Sequence, residues 1–92
     1  MLKIQRSFNS GVVFSLSGRI EVEDVAELER LISLEAAGQK IALDLQDVML
    51  VDRDSVKFLA RCEAEKIQLE NCPAYIREWI DAESGGNSRQ KN

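Results

Sequence analysis

Ile41-Ala42-Leu43-Asp44-Leu45-Gln46-Asp47-Val48-Met49-Leu50-Val51-Asp52-Arg53-Asp54-Ser55-Val56 changes period partway along, and the change decides the fold. Ile41, Leu43 and Leu45 alternate with Ala42 and Asp44, the two-residue repeat of a strand with one buried face. A connector at residues 46–52 follows. A helix is then expected from about Asp54 to Lys66, burying Val56, Leu59 and either Ala60 or Cys62. A strand, a short connector and a helix form the start of a crossover to a further parallel strand.

Leu2 and Ile4 alternate with Lys3 and Gln5, and Val12, Phe14 and Leu16 alternate with Val13, Ser15 and Ser17. Between them, residues 7–11 carry turn chemistry, with Gly11 able to take a positive φ, so the two runs form an antiparallel hairpin. From Glu21 the period becomes helical: Val25, Leu28, Ile32 and Ala36 share a stripe, carboxylates crowd the first turn, and Gly38 is the expected C-cap. Leu34 falls off the stripe as an end residue. Ile67 and Leu69 give a fourth strand. Pro73 opens a third helix, whose apolar face is Tyr75, Ile76, Trp79 and Ile80, with Tyr75 and Trp79 expected in the core.

The order β-β-α-β-α-β-α makes strands two to four parallel. Each strand has a polar face, on which Ser15, Ser17, Asp44, Gln68 and Glu70 lie, so both faces cannot be covered. Right-handed crossovers then put all three helices on one side. The expectation is an α/β domain, a mixed four-stranded sheet with helices on one face, over residues 1–82. Residues 83–92 contain no apolar side chain and are expected to be a disordered tail.

The chain has 92 residues, 45% hydrophobic and 30% charged, enough for one domain. Its 16 acidic and 12 basic residues give a net charge of −4, which offers no electrostatic case for nucleic acid or an anionic membrane as partner. Histidine is absent, and imidazole-based catalysis goes with it. The N-terminus alternates and lacks the apolar core of a signal peptide. Cys62 and Cys72 read as reduced, small apolar fillers, and a cytoplasmic location is expected.

The layout and the quoted stretch resemble the STAS domain, the module shared by sulfate transporters and bacterial anti-sigma factor antagonists. The resemblance covers residues 1–80. In the family, a strand ending Asp-Leu is followed by a connector with Val, an apolar pair, and Asp-Ser-Ser-Gly opening a helix. Here these are Asp44-Leu45, Val48 and Asp52, and Gly18-Arg19-Ile20 matches the family's turn before an acidic helix start. The sequence departs from the pattern where the family is regulated. The two Ser positions hold Arg53 and Asp54, and the Gly position holds Ser55. The second Ser, phosphorylated by an anti-sigma kinase in the antagonists, is therefore replaced by Asp54.

The resemblance implies a stand-alone regulatory module for protein–protein interaction in signalling, with no enzymatic activity and no cofactor. The expected partner is an anti-sigma kinase or a switch-protein complex, and the expected state a monomer or weak homodimer. The expected contact residues are Arg19, Asp52, Arg53, Asp54, Ser55 and Lys57. A structural or assembly subunit, self-associating through the open sheet face or Leu34, is the alternative.

Two chemical readings compete less well. Asp52-Arg53-Asp54-Ser55-Val56 imitates the nucleophile loop of haloacid-dehalogenase-like phosphatases, but the chain lacks the later acidic loop that would hold Mg²⁺. Asp44, Asp47, Asp52 and Asp54 lack the spacing of a calcium loop, so no metal site is assigned, and Asp54 is read as the cap of the second helix. Folding should need neither metal nor disulfide. Chelator and reductant should each leave the thermal midpoint unchanged, and a fall of many degrees with either would contradict this.

Overall fold

In the computed structural model, residues 2–89 are described, those from 84 onward by backbone course alone. Strands β1 (Leu2–Phe8) and β2 (Val12–Ile20) form the hairpin, and helix α1 (Val22–Ser33) leads to β3 (Ile41–Val51). Helix α2 (Arg53–Ala64), β4 (Gln68–Glu70) and α3 (Ala74–Arg89) complete the chain. The sheet order is β1-β2-β3-β4, with β1 antiparallel to β2 and the other neighbours parallel. This is the mixed four-stranded α/β architecture that the alternation predicts.

The core lies on one face of the sheet. Val12, Phe14, Leu16 and Ile20 of β2 and Leu43, Leu45 and Val48 of β3 are buried against Leu28 of α1, Val56, Leu59 and Cys62 of α2, and Ile76 and Ile80 of α3. Helix α2 lies in the middle, packed against α1, α3 and β4.

Several local features differ from the sequence reading, each for a physical reason. The segment expected as a connector continues β3 to Val51. It stays in register with β2 only through irregularities between Ser15 and Ser17 and between Gly18 and Arg19. Across each, β3 has one more residue than β2: Ser15 and Ser17 face Asp44 and Asp47, and Gly18 and Arg19 face Val48 and Leu50. An extra residue shifts a strand's alternation by one, which is how Val48 returns to the core three positions after Leu45. Gly18, at φ 98°, sits at the second irregularity.

Gly38 does not cap α1. The helix ends at Ser33 with Leu34 as its C-cap, and Gly38 (φ 84°) turns the loop beyond it. Ser10, not Gly11, takes the positive φ in the hairpin. Gly11 is needed for space, because a Cβ there would stand 3.0 Å from the Lys40 carbonyl oxygen, which accepts from Val12 N–H at 2.8 Å. Tyr75 is 45% exposed rather than in the core, whereas Trp79 packs against it half-buried. The backbone of α3 runs on to Arg89, past the boundary placed at Glu83, and residues 90–92 of the expected tail lie outside the described residues.

Helix α2 ends in a Schellman turn: Ile67 N–H donates to the Cys62 carbonyl at 2.9 Å and Lys66 N–H to that of Glu63 at 3.1 Å. This forces Lys66 to φ 70°, a left-handed conformation that glycine adopts without steric cost. Lys66→Gly should therefore stabilise the fold by about 0.5–1 kcal/mol, less than the full left-handed penalty because glycine also loosens the unfolded chain. A urea midpoint at or below that of the parent would contradict this.

Candidate functional site

The parallel strands β2 and β3 end side by side, and α1 and α2 start there. The turn between each strand and its helix is one residue long, Glu21 in one case and Asp52 in the other. Such short turns leave the first backbone N–H groups of each helix without partners unless a side chain supplies one. Asp24 does so for α1, its Oδ2 accepting from Glu21 N–H at 2.9 Å.

Asp52 serves both helices. Its Oδ1 accepts from Ser55 N–H at 2.9 Å and faces Ser55 Oγ at 2.7 Å, while Oδ2 accepts from Val22 N–H at 3.1 Å. The Asp52 N–H donates to the Ile20 carbonyl at 3.3 Å, and Ser55 Oγ lies 2.9 Å from the same oxygen. The Ser55 hydroxyl has one proton for two acceptors, the Asp52 carboxylate and the Ile20 carbonyl. Its hydrogen bond, with those from the Ser55 and Val22 N–H groups, holds the Asp52 carboxyl below the usual aspartate range, against a smaller effect of burial.

Two expectations change here. The cap of α2 is Asp52, not Asp54, because a cap must stand outside the helix with extended backbone, and Asp52 does at φ −99° and ψ 178°. Asp54 lies inside the first turn and is exposed. Ser55 is fully buried, so of the expected contact residues it cannot meet a partner. Arg19, Arg53, Asp54 and Lys57 are exposed, and Asp52 is half-buried beneath them. Arg53 and Lys57 stand one turn apart on α2. Arg53 Nε is 3.7 Å from a Glu83 carboxylate oxygen, a loose pair on a guanidinium that is 72% exposed.

The sequence reading did not single out an apolar rim at this end. Val22 is 52% exposed, Leu50 54% and Met49 71%. A surface groove of about 410 Å³ runs between the two helix starts, lined by Arg19, Val22, Glu23, Leu50 and Asp52 among others. The Tyr75 hydroxyl donates to the Met49 carbonyl, tying the first turn of α3 to the second irregularity of β3. The signal was present in the sequence. Val48 to Val51 is a run of four apolar residues, and a strand with one covered face cannot bury them all.

Of the four aspartates, Asp44 is occupied locally: its Oδ1 accepts from Gln46 N–H at 3.0 Å and Asn71 Nδ2 at 3.2 Å. Among the described residues no three potential metal ligands converge, and no helix is long and apolar enough to cross a membrane. Both cysteines are free, and burial pushes the Cys62 thiol up to about 12.

No protein-family model matches the chain, and no curated protein does. Solved structures do. An uncharacterized protein of the DUF3478 family from Shewanella loihica PV-4, described as having a SpoIIAA-like fold, superposes with a TM-score of 0.54 at 12% identity over 70% of this chain and 57% of that one. The structure of Mglu superposes with a TM-score of 0.51 at 23% identity over 74% of this chain. The chain spans 57% of the first protein and 18% of Mglu. At these identities the likeness establishes the fold, which is SpoIIAA-like.

Asp52→Ala should cost about 2 kcal/mol, combining a lost helix cap with the pairing lost by Val22 N–H, while the buried Ser55 hydroxyl keeps the Ile20 carbonyl as its acceptor. Because the folded carboxyl is held below its unfolded value, its contribution is fully present above about pH 4 and is lost as pH falls through the folded value. Arg77 lowers Glu63 in the same sense, so the comparison is between variants. Asp52→Asn should flatten the acid limb of a stability–pH curve, and an unchanged limb would remove Asp52 from its cause.

Proposed function

We propose that this chain is a STAS-like regulatory module that binds another protein through the end of the sheet where α1 and α2 begin, in the manner of an anti-sigma factor antagonist. The observation that carries the reading is the pairing of an exposed acid with an exposed apolar rim. Asp54 stands exposed in the first turn of α2, and Val22, Met49 and Leu50 lie exposed on neighbouring segments at the same end. An apolar centre with a charged surround is the composition of a protein contact. The motif resemblance supports the partner class, an anti-sigma kinase or a related switch-protein complex, and the SpoIIAA-like fold is compatible with it.

Asp54 occupies the position at which regulated members of the STAS family carry phosphoserine. It has a permanent single charge where a phosphate would bring about −1.5 to −2. The interaction is therefore constitutive, independent of a kinase acting at this turn, since the nearby Ser55 hydroxyl is buried and already engaged. A binding role also suits Asp52 better than catalysis. Both oxygens of the residue that a phosphatase would use as nucleophile accept hydrogen bonds from the chain.

Asp54→Ser tests the reading with little structural disturbance, because the helix keeps its Asp52 cap and loses only a dipole interaction of under about 1 kcal/mol. The tagged parent should capture a specific partner from the source organism. Asp54→Ser and Leu50→Ser should each reduce capture at least tenfold, while the remote exposed substitution Glu78→Gln leaves it intact. Equal capture by parent and Asp54→Ser would reduce Asp54 to an ordinary helix-start acid.

A further inference from the structure

The two edges of the sheet differ. The β4 edge has three residues and is followed by Pro73, which limits its use as a template. The β1 edge has seven residues, no proline and a regular ladder to β2, and among the described residues no strand pairs with its outer side. It presents a row of backbone N–H and C=O groups suited to another strand.

Its side chains choose the partner. In the ladder with β2, Leu2, Ile4, Arg6 and Phe8 face Gly18, Leu16, Phe14 and Val12, so they lie on the helix-covered face. Leu2 and Ile4 pack half-buried against the core, whereas Phe8 reaches the rim 65% exposed. Arg6 is held by Glu35, with Nε to Oε2 at 2.8 Å and Nη2 to Oε1 at 3.0 Å, so its charge is matched within the chain.

An antiparallel pairing of two copies about a two-fold axis keeps like faces together only in alternate registers. Centred on Ile4, it pairs five residues and leaves Phe8 uncovered. Centred on Arg6, it sets two arginines opposite each other, which is repulsive. Centred on Gln5, it pairs the whole strand. Phe8 then covers Leu2 of the other copy, Lys3 lies opposite Ser7, Ile4 lies against the aliphatic stem of Arg6, and no like charges meet.

We propose that the outer edge of β1 is a self-pairing edge, joining two copies of the chain antiparallel about Gln5 into one continuous sheet, with Phe8 of each copy packed on Leu2 of the other. This interface is separate from the protein-binding end proposed above and stands or falls without it. Reversal of strand direction across the axis puts the two α2 starts at opposite ends of the joined sheet, on the same face.

Sedimentation equilibrium from micromolar to millimolar concentration tests the pairing, with a rise toward twice the mass of one chain expected. Gln5 is exposed, so Gln5→Lys should leave the thermal midpoint unchanged while setting two cations face to face and abolishing the rise. Gln5→Cys should form an intermolecular disulfide under mild oxidation, and the parent, with Cys62 buried and Cys72 half-buried, should not. A constant single-chain mass would overturn the proposal. So would a dimer that persists in Gln5→Lys, because another surface, such as the open sheet face or Leu34, would then be joining the copies.

Discussion

The Asp52 carboxylate accepts hydrogen bonds from two segments thirty or more residues apart in folding logic but adjacent in space: the start of α1 at Val22 and the start of α2 at Ser55. A parallel pair of strands followed by one-residue turns brings two sets of unpaired helix N–H groups together, and a carboxylate with two oxygens is well suited to both. The Ile20 carbonyl completes the joint by accepting from the Asp52 N–H and facing the Ser55 hydroxyl. The ends of β2 and β3, and the directions in which α1 and α2 leave them, are thereby set together.

This joint explains the division of labour within one helical turn. Asp52 and Ser55 face inward and fasten the turn, while Arg53 and Asp54, the two residues between them, have nowhere to point but solvent. Structural need accounts for the first pair. Among the described residues Arg53 makes only its loose contact with Glu83, and Asp54 sets a carboxylate at the positive end of α2.

The strand alternation and helical stripes made the sheet and its one-sided core legible in the sequence, because burial on a single face leaves a clean period. What escaped were features set by tertiary geometry. The extra residues in β3 broke the alternation that identifies a strand, so residues 46–52 read as a connector although β3 runs to Val51. Asp54 reads as the cap in the sequence, because only the backbone shows that Asp52, on the other side of Arg53, is the residue that precedes the helix. Gly11 looked like a conformational necessity, but the close approach of Lys40 comes from the next crossover, out of reach of local reading. Tyr75 had helical spacing for the core, but its hydroxyl is drawn to the carbonyl of Met49 at the surface. At the site, motif order located Asp52 and Asp54, whereas the exposure of Val22, Met49 and Leu50 depends on where the sheet's covered face stops.

The burial of Cys62 gives the molecule an internal clock. Only the thiolate reacts with alkylating or disulfide reagents, and a thiol that burial pushes up to about 12 forms it far less readily than one in an unfolded chain. Cys62 sits in the central helix of the core, so its labelling waits for α2 to lift from the sheet. Labelling kinetics at Cys62, read apart from the half-buried Cys72, would therefore report the openings of α2, the helix that Asp52 caps.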